Sequence, residues 1–254
     1  MLDSDMPERK INLHFIDVTG FILPDGTGSA DWLKLSLDKL NRTEQVRLNV
    51  YDGISGQLPD PPSVPGRGSC VIISGSYGTI FEDKPWIPPL MDFIRNAHDL
   101  GVHLLGICFG HHAIASALGG EVVFNPRGRE MGTVPVYLTE EGWNSPLFRG
   151  FESGGLMSLL HRTHVSRMPE GAVRLAFNRM TPVQAFSVGN TFGLQFHPEI
   201  TPVQLTQLAE MFKYVLIRKE KFLDSIEHYN DFITSFRDTP AGMGIIANFL
   251  DISA

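Results

Sequence analysis

The run His103-Leu104-Leu105-Gly106-Ile107-Cys108-Phe109-Gly110-His111-His112 decides the fold. His103 to Ile107 is a short, mostly apolar stretch, the mark of a strand covered on both faces. Phe109 to Leu118 reads as a helix, and Gly119-Gly120 stops it. The strand thus becomes a helix at Cys108, between Gly106 and Gly110, in the pattern small-x-nucleophile-x-small. So sharp a turn leaves no room for β-carbons beside it. It lifts the Cys108 thiol clear of the sheet edge and sets it at a helix N-terminus, where the dipole favours thiolate. The N–H of Phe109 then points where an oxyanion would form. Cys108 also falls beyond the carboxyl end of a strand, where open α/β sheets bind ligands.

The flanking sequence repeats the same unit. Asn12 to Val18 and Gln45 to Tyr51 read as strands, with a helix from Asp31 to Leu40 between them. Asp52 to Gly68 is a loop rich in Gly and Pro. Ser69 to Ser74 is another buried strand, and Trp86 to Leu100 a helix with Pro88 and Pro89 in its first turn. Strand and helix in alternation predict an α/β fold with a mostly parallel sheet. Beyond Glu121 the pattern changes to short strand-like runs: EVVF, TVPVYLT, MSLLH, VRLAF, VQAFSV and TFGLQF. These predict antiparallel additions to the sheet. Helical patterns return over Pro202 to Lys219, Phe222 to Phe236, and on to Leu250. No repeat or linker breaks the chain. The expectation is a single domain over 1–254, with a core at 10–220 and a helical C-terminal extension at 221–254.

The 254 residues carry 21 Lys+Arg against 28 Asp+Glu, a net charge of −7. That balance argues against a nucleic-acid binder and against docking on an anionic membrane. With 43% hydrophobic and 19% charged residues the chain is not mainly disordered. No stretch approaches a membrane span, and Met1 to Glu8 has acidic residues where a signal peptide would be basic. Two cysteines, Cys70 and Cys108, make no disulfide framework. A cytoplasmic location is expected. The spacings of His111, His112, His161 and His164 match no common ligand set, so no metal is expected; nor is a cofactor.

A second motif is Phe196-His197-Pro198-Glu199, after a strand-like run. Residues i and i+2 of extended chain project from the same face. His197 and Glu199 can therefore sit side by side, an oriented base for a cysteine nucleophile.

Together these motifs resemble the class I (triad) glutamine amidotransferase family. The matching segments are GICFGHH around Cys108 and GLQFHPE from Gly193 to Glu199. Ile72 to Ser76 resembles the family's oxyanion loop, and Asn125 to Gly132 (NPRGREMG) its G-x-E-x-G stretch. The chain is similar to the amidotransferase domain of GMP synthase. Through Ser74-Gly75-Ser76, Phe81-Glu82-Asp83 and Trp86-Ile87 it is similar to plant γ-glutamyl peptidases. The resemblance implies a three-layer, flavodoxin-like sandwich. It implies that Cys108 attacks the γ-amide of glutamine or a γ-glutamyl compound, His197 moves the proton, and Glu199 holds the imidazole. Phe109 and either Gly75 or Ser76 would supply the oxyanion hole, and a γ-glutamyl thioester would form before water releases glutamate.

Two positions depart from the family. His112 stands where a glutamine-contacting Gln is usual, and His161-Arg162-Thr163 stands where the family often reads His-x-Asp. His112, His161 and Thr163 are therefore expected to shape substrate binding. Imidazole titrates near neutrality, so His112 is expected to make binding pH-dependent. Three functions stay open: a stand-alone amidohydrolase on a small molecule, a glutaminase subunit delivering ammonia to a separate synthetase, and a binding homologue without turnover. The C-terminal helices would cover a surface that a synthetase needs, or would form a homodimer interface.

Overall fold

The computed structural model describes residues 10–60 and 68–254. The acidic N-terminal stretch and positions 61–67 of the Gly/Pro-rich loop lie outside the described residues. Strands β1 (Ile11–Asp17), β2 (Val46–Asp52), β3 (Ser69–Ile73) and β4 (His103–Ile107) alternate with helices α1 (Ser29–Lys39) and α2 (Ile87–Asp99). Helix α3 (Phe109–Ala117) follows β4 directly. Then come β5 (Glu121–Phe124), β6 (Glu130–Leu138), α4 (Glu140–Asn144), β7 (Gly155–His161), β8 (Thr163–Arg167), β9 (Val173–Phe177), β10 (Ala185–Val188) and β11 (Thr191–Leu194). The chain ends in α5 (Pro202–Tyr214), a π-helical turn at Val215–Lys219, α6 (Ile226–Thr234) and α7 (Pro240–Ser253).

The main sheet runs β2-β1-β3-β4-β11-β10-β9-β6-β7. It is parallel from β2 to β11 and antiparallel from β10 to β7. The α/β class and the mostly parallel sheet are as the strand–helix alternation predicts. Three details differ. The TFGLQF run, expected among the antiparallel additions, supplies β11, which lies parallel to β4. The tight Gly189-Asn190 link after β10 reverses the chain once more, and periodicity carries no direction. EVVF leaves the main sheet and pairs with β8 in a two-stranded ribbon. β8 itself, Thr-His-Val-Ser-Arg, has too few apolar residues to read as a strand alone.

Apolar side chains cover both faces of the sheet. One face is packed by α2 and α3 through Leu90, Phe93, Ile94 and Ile114. The other is packed by α1 and α7 through Leu33, Leu37, Ile245, Ile246, Phe249 and Leu250. α7 falls in the segment that reads as an extension, yet its four apolar anchors have no exposed surface. Asn248 donates to the carbonyls of Leu147 and Arg149, and Gly68 donates to that of Ser253. Gly242 permits the close approach, since a β-carbon there would meet Met157 Sδ at 3.0 Å. Truncating Phe249 in such packing costs about 3–5 kcal/mol. A third apolar cluster, from α5, α6 and the segment before α1, closes the region beyond the carboxyl ends of the parallel strands.

Candidate active site

Cys108 sits between β4 and α3 with φ 50° and ψ −95°, one of three described non-glycine residues with positive φ. Such a conformation costs on the order of 1–3 kcal/mol and persists where neighbours over-determine it. Here the Cys108 N–H donates to Leu194 O at 2.7 Å, and the Gly110 N–H to Ser74 O at 3.2 Å. The flanking glycines are sterically required. A β-carbon on Gly106 would lie 2.3 Å from the Gly110 carbonyl, and one on Gly110 would lie 2.5 Å from Ile73 O. Phe109 opens the helix, so its N–H has no intrahelical acceptor.

His197 follows β11 and is pinned to β7, where its N–H donates to Ser158 O at 2.8 Å. Its Nδ1–H donates to Glu199 Oε1 at 2.7 Å, so the i, i+2 pairing expected from the sequence is present. The ring also packs on Gly75. A β-carbon there would sit 2.8 Å from His197 Cε1 and 3.6 Å from Cys108 Cβ. Burial by itself would push the His197 imidazolium toward neutrality. The charges and hydrogen bonds of Glu199 and Cys108 outweigh it and raise His197 to about 10. Cys70 contrasts with Cys108. It lies in β3 with no exposed surface, and burial pushes its thiol up to about 12.

Cys108, His197 and Glu199 line one pocket of about 360 Å³, within the range of small-molecule sites. Gly75, Ser76 and Phe109 line it too. Aromatic side chains line it as well, including Phe21, Trp32 and Tyr77, with Tyr77 stacked on Phe212 at 5.2 Å. The lining also carries charge from Arg129, Arg162 and Glu220.

His112, His161 and Thr163 also reach the pocket, but their polar atoms are largely committed inward. His112 Nε2–H donates to Gln195 Oε1 at 2.7 Å, and Nδ1 faces the Thr163 hydroxyl at 3.4 Å. Burial pulls His112 down to about 3. The expected pH dependence of binding through His112 is therefore not supported, because the ring stays neutral near pH 7. His161 Nδ1–H donates to Thr163 O and Nε2 meets Glu130 Oε2, both at 2.9 Å.

Glu130 has no role in the sequence reading, although it lies in the quoted NPRGREMG stretch. It is 4% exposed and accepts from His161, Asn178, Thr181 and Gln184. Burial opposes its charge, but these donors hold its carboxyl below the usual range. Arg162 stands in the His-Arg-Thr motif, which gives it no role, and nothing local marks Glu220. Among the described residues no cluster of three or more His, Cys, Asp or Glu is arranged to hold a metal, and no helix is long and apolar enough to cross a membrane.

The model of the family Glutamine amidotransferase class-I matches residues 66–213. Gamma-glutamyl peptidase 4 of Arabidopsis thaliana is 32% identical over a stretch covering 61% of this chain and 63% of that protein. A GMP synthase [glutamine-hydrolyzing] of Prochlorococcus marinus is 33% identical, over 51% of this chain and 24% of that enzyme. The matches thus span less than two thirds of either relative. Among solved structures, a glutamine amidotransferase from Thermotoga maritima superposes with a TM-score of 0.74 at 20% identity, covering 96% of this chain and 97% of that one.

Proposed function

The chain belongs to the class I glutamine amidotransferase family, and on that premise we propose that it hydrolyses the γ-amide of glutamine or of a γ-glutamyl compound. Cys108 is the nucleophile, His197 the acid–base group and Glu199 its orienting carboxylate. The thiolate adds to the γ-carbonyl, and the N–H groups of Phe109 and of Gly75 or Ser76 receive the oxyanion. The C–N bond breaks as His197 gives its proton to the leaving amine. Water, deprotonated by His197, then cleaves the γ-glutamyl thioester, releasing glutamate and restoring the thiolate.

The observation that carries this reading is the juxtaposition at Gly75: a strained elbow cysteine and a carboxylate-held imidazolium pack against the same Cα. The test is glutamate release from glutamine and from a panel of γ-glutamyl amides, with trapping of the acyl-enzyme by mass spectrometry. Release by wild type, its loss in Cys108→Ala and a γ-glutamyl mass on Cys108 are expected. Equal release by both proteins would overturn the assignment. A second reading, supported by the match to one quarter of a GMP synthase, is that the released ammonia passes to a separate synthetase. Hydrolysis that rises many-fold when a synthetase is added would favour it.

A further inference from the structure

One carboxylate at the pocket, Glu220, carries two guanidiniums. Three carboxylates line the pocket, and each already faces a cation: Glu82 faces Lys84 at 3.9 Å, Glu199 faces His197 at 2.7 Å, and Glu220 is forked by Arg129 through Nε and NH2. Glu220 is shared by a second guanidinium, since Arg162 NH1 lies 3.3 Å from its Oε1. Two arginines on one carboxylate leave one positive charge over. Arg129 is largely buried and spends two donor groups on Glu220, whereas the Arg162 side chain is 54% exposed with donors to spare. The Arg162 guanidinium lies 5.3 Å from the centroid of the Phe124 ring, which together with Glu220 fixes its position.

The position is a matter of reach. Cys108 Sγ lies 3.7 Å from Leu160 O. Arg162 comes two residues later, about 7 Å along extended chain. In a γ-glutamyl thioester the α-carboxylate stands about 5 Å from the acyl carbon, counted over its carbon–carbon bonds. The segment is also braced from beneath. His161 bonds Glu130 on one side and Thr163 O on the other, and Arg162 O accepts from the Asn125 N–H at 2.8 Å. Thr163, next in the chain, brings no charge.

We propose that Arg162 binds the α-carboxylate of the γ-glutamyl group, and that the site makes no ion pair with the α-ammonium. The substrate class is then wider than γ-glutamyl amides. It includes glutaric acid monoamides, in which the amine is missing, and excludes amides that lack the α-carboxylate. This rests on the hydrolase reading above.

The experiment has two arms. Wild type is assayed with three p-nitroanilides: L-γ-glutamyl, glutaryl (no amine) and 4-aminobutyryl (no carboxylate). Binding of glutamine, glutaramate and 4-aminobutyramide to Cys108→Ala is measured by calorimetry. The glutaryl and glutamyl anilides should react within about threefold of each other, and the 4-aminobutyryl anilide about 10- to 100-fold more slowly, the worth of a hydrogen bond to a charged group. Arg162→Met should raise KM for the two carboxylate substrates by a similar factor, leave kcat and the 4-aminobutyryl rate unchanged, and be partly rescued by Arg162→Lys. In the calorimeter, Cys108→Ala should bind glutamine and glutaramate but not 4-aminobutyramide. Hydrolysis that ignores the carboxylate, or an unchanged KM in Arg162→Met, would overturn the proposal and leave the hydrolase reading standing. No hydrolysis with carboxylate-selective binding would overturn the hydrolase reading and leave the Arg162 subsite standing.

Discussion

Two buried histidine–carboxylate pairs stand at this pocket, and they are built differently. In the His161–Glu130 pair both ring nitrogens are used, and the carboxylate accepts from four donors. In the His197–Glu199 pair one carboxylate oxygen holds the ring, Glu199 Oε2 has no partner, and the other side of the imidazole is left to the sulfur of Cys108. A satisfied pair makes a rigid wall, because each buried polar atom would cost about 1–3 kcal/mol if left unpaired. The incomplete pair keeps a proton where it can move. The number of open hydrogen-bonding positions, more than the residue types, distinguishes the pair proposed to react from the one that braces the wall.

The largest expected effect tests the reactive side. Cys108→Ala should lower glutamate release by at least about 10⁴-fold, since a nucleophile and its base act as a unit. A glutamine-like electrophile should label Cys108 stoichiometrically and leave Cys70, high in pKa and buried, unmarked. Labelling mainly at Cys70 would refute the elbow assignment.

Glu199→Gln should come next, with turnover down by about 10²- to 10⁴-fold, because the imidazole loses its oriented charge partner. Stability reports the same change. His197 is raised from 6.5 to about 10, so it contributes stability that is fully present below pH 6.5 and is lost as pH rises through about 10. Denaturant unfolding between those pH values should show a smaller alkaline loss in the variant than in wild type. Identical alkaline limbs would mean that Glu199 is not what raises His197.

The structural pair should respond in the opposite sense. Glu130→Ala strands four buried donors and should cost about 3–5 kcal/mol, roughly 10 °C in melting temperature. Glu199→Ala strands one donor, the His197 Nδ1–H, and removes a buried oxygen that had no partner, so it should cost less than Glu130→Ala. Equal melting shifts for the two variants would erase the distinction between the pairs.

The smallest effect is at His112. Its lowered pKa means that the unfolded chain binds a proton between pH 6.5 and about 3 while the folded chain does not, so folding stability falls as pH falls through that window. His112→Gln should flatten this acid limb while shifting the pH–rate profile between pH 6 and 9 by less than about threefold in rate. A pH step in substrate binding near neutrality that vanishes in His112→Gln would restore the titration role expected from the sequence.

Much of the surroundings of Cys108 was legible in the chain because it is local. The elbow needs a strand, two glycines and a helix start within five positions, and the His197–Glu199 contact needs only extended chain across one residue. The polar wall was not legible. Glu130 reads as one acid among 28 Asp+Glu, and its partners His161, Asn178, Thr181 and Gln184 lie 31 to 54 positions away. Glu220 reaches Arg129 across 91 positions and Arg162 across 58.

The sequence by itself determined the class of fold and the place of the thiol, since the hydrophobic period and the glycine-flanked turn are properties of short segments and act before the chain is folded. Tertiary structure decided the direction of β11, the removal of β5 to a separate ribbon, the burial of α7 in the core, and the partners of Glu130 and Arg162. These depend on which surfaces meet when the sheet closes over its helices. A buried polar group takes whatever donors the packing delivers, and no periodicity along the chain records that delivery.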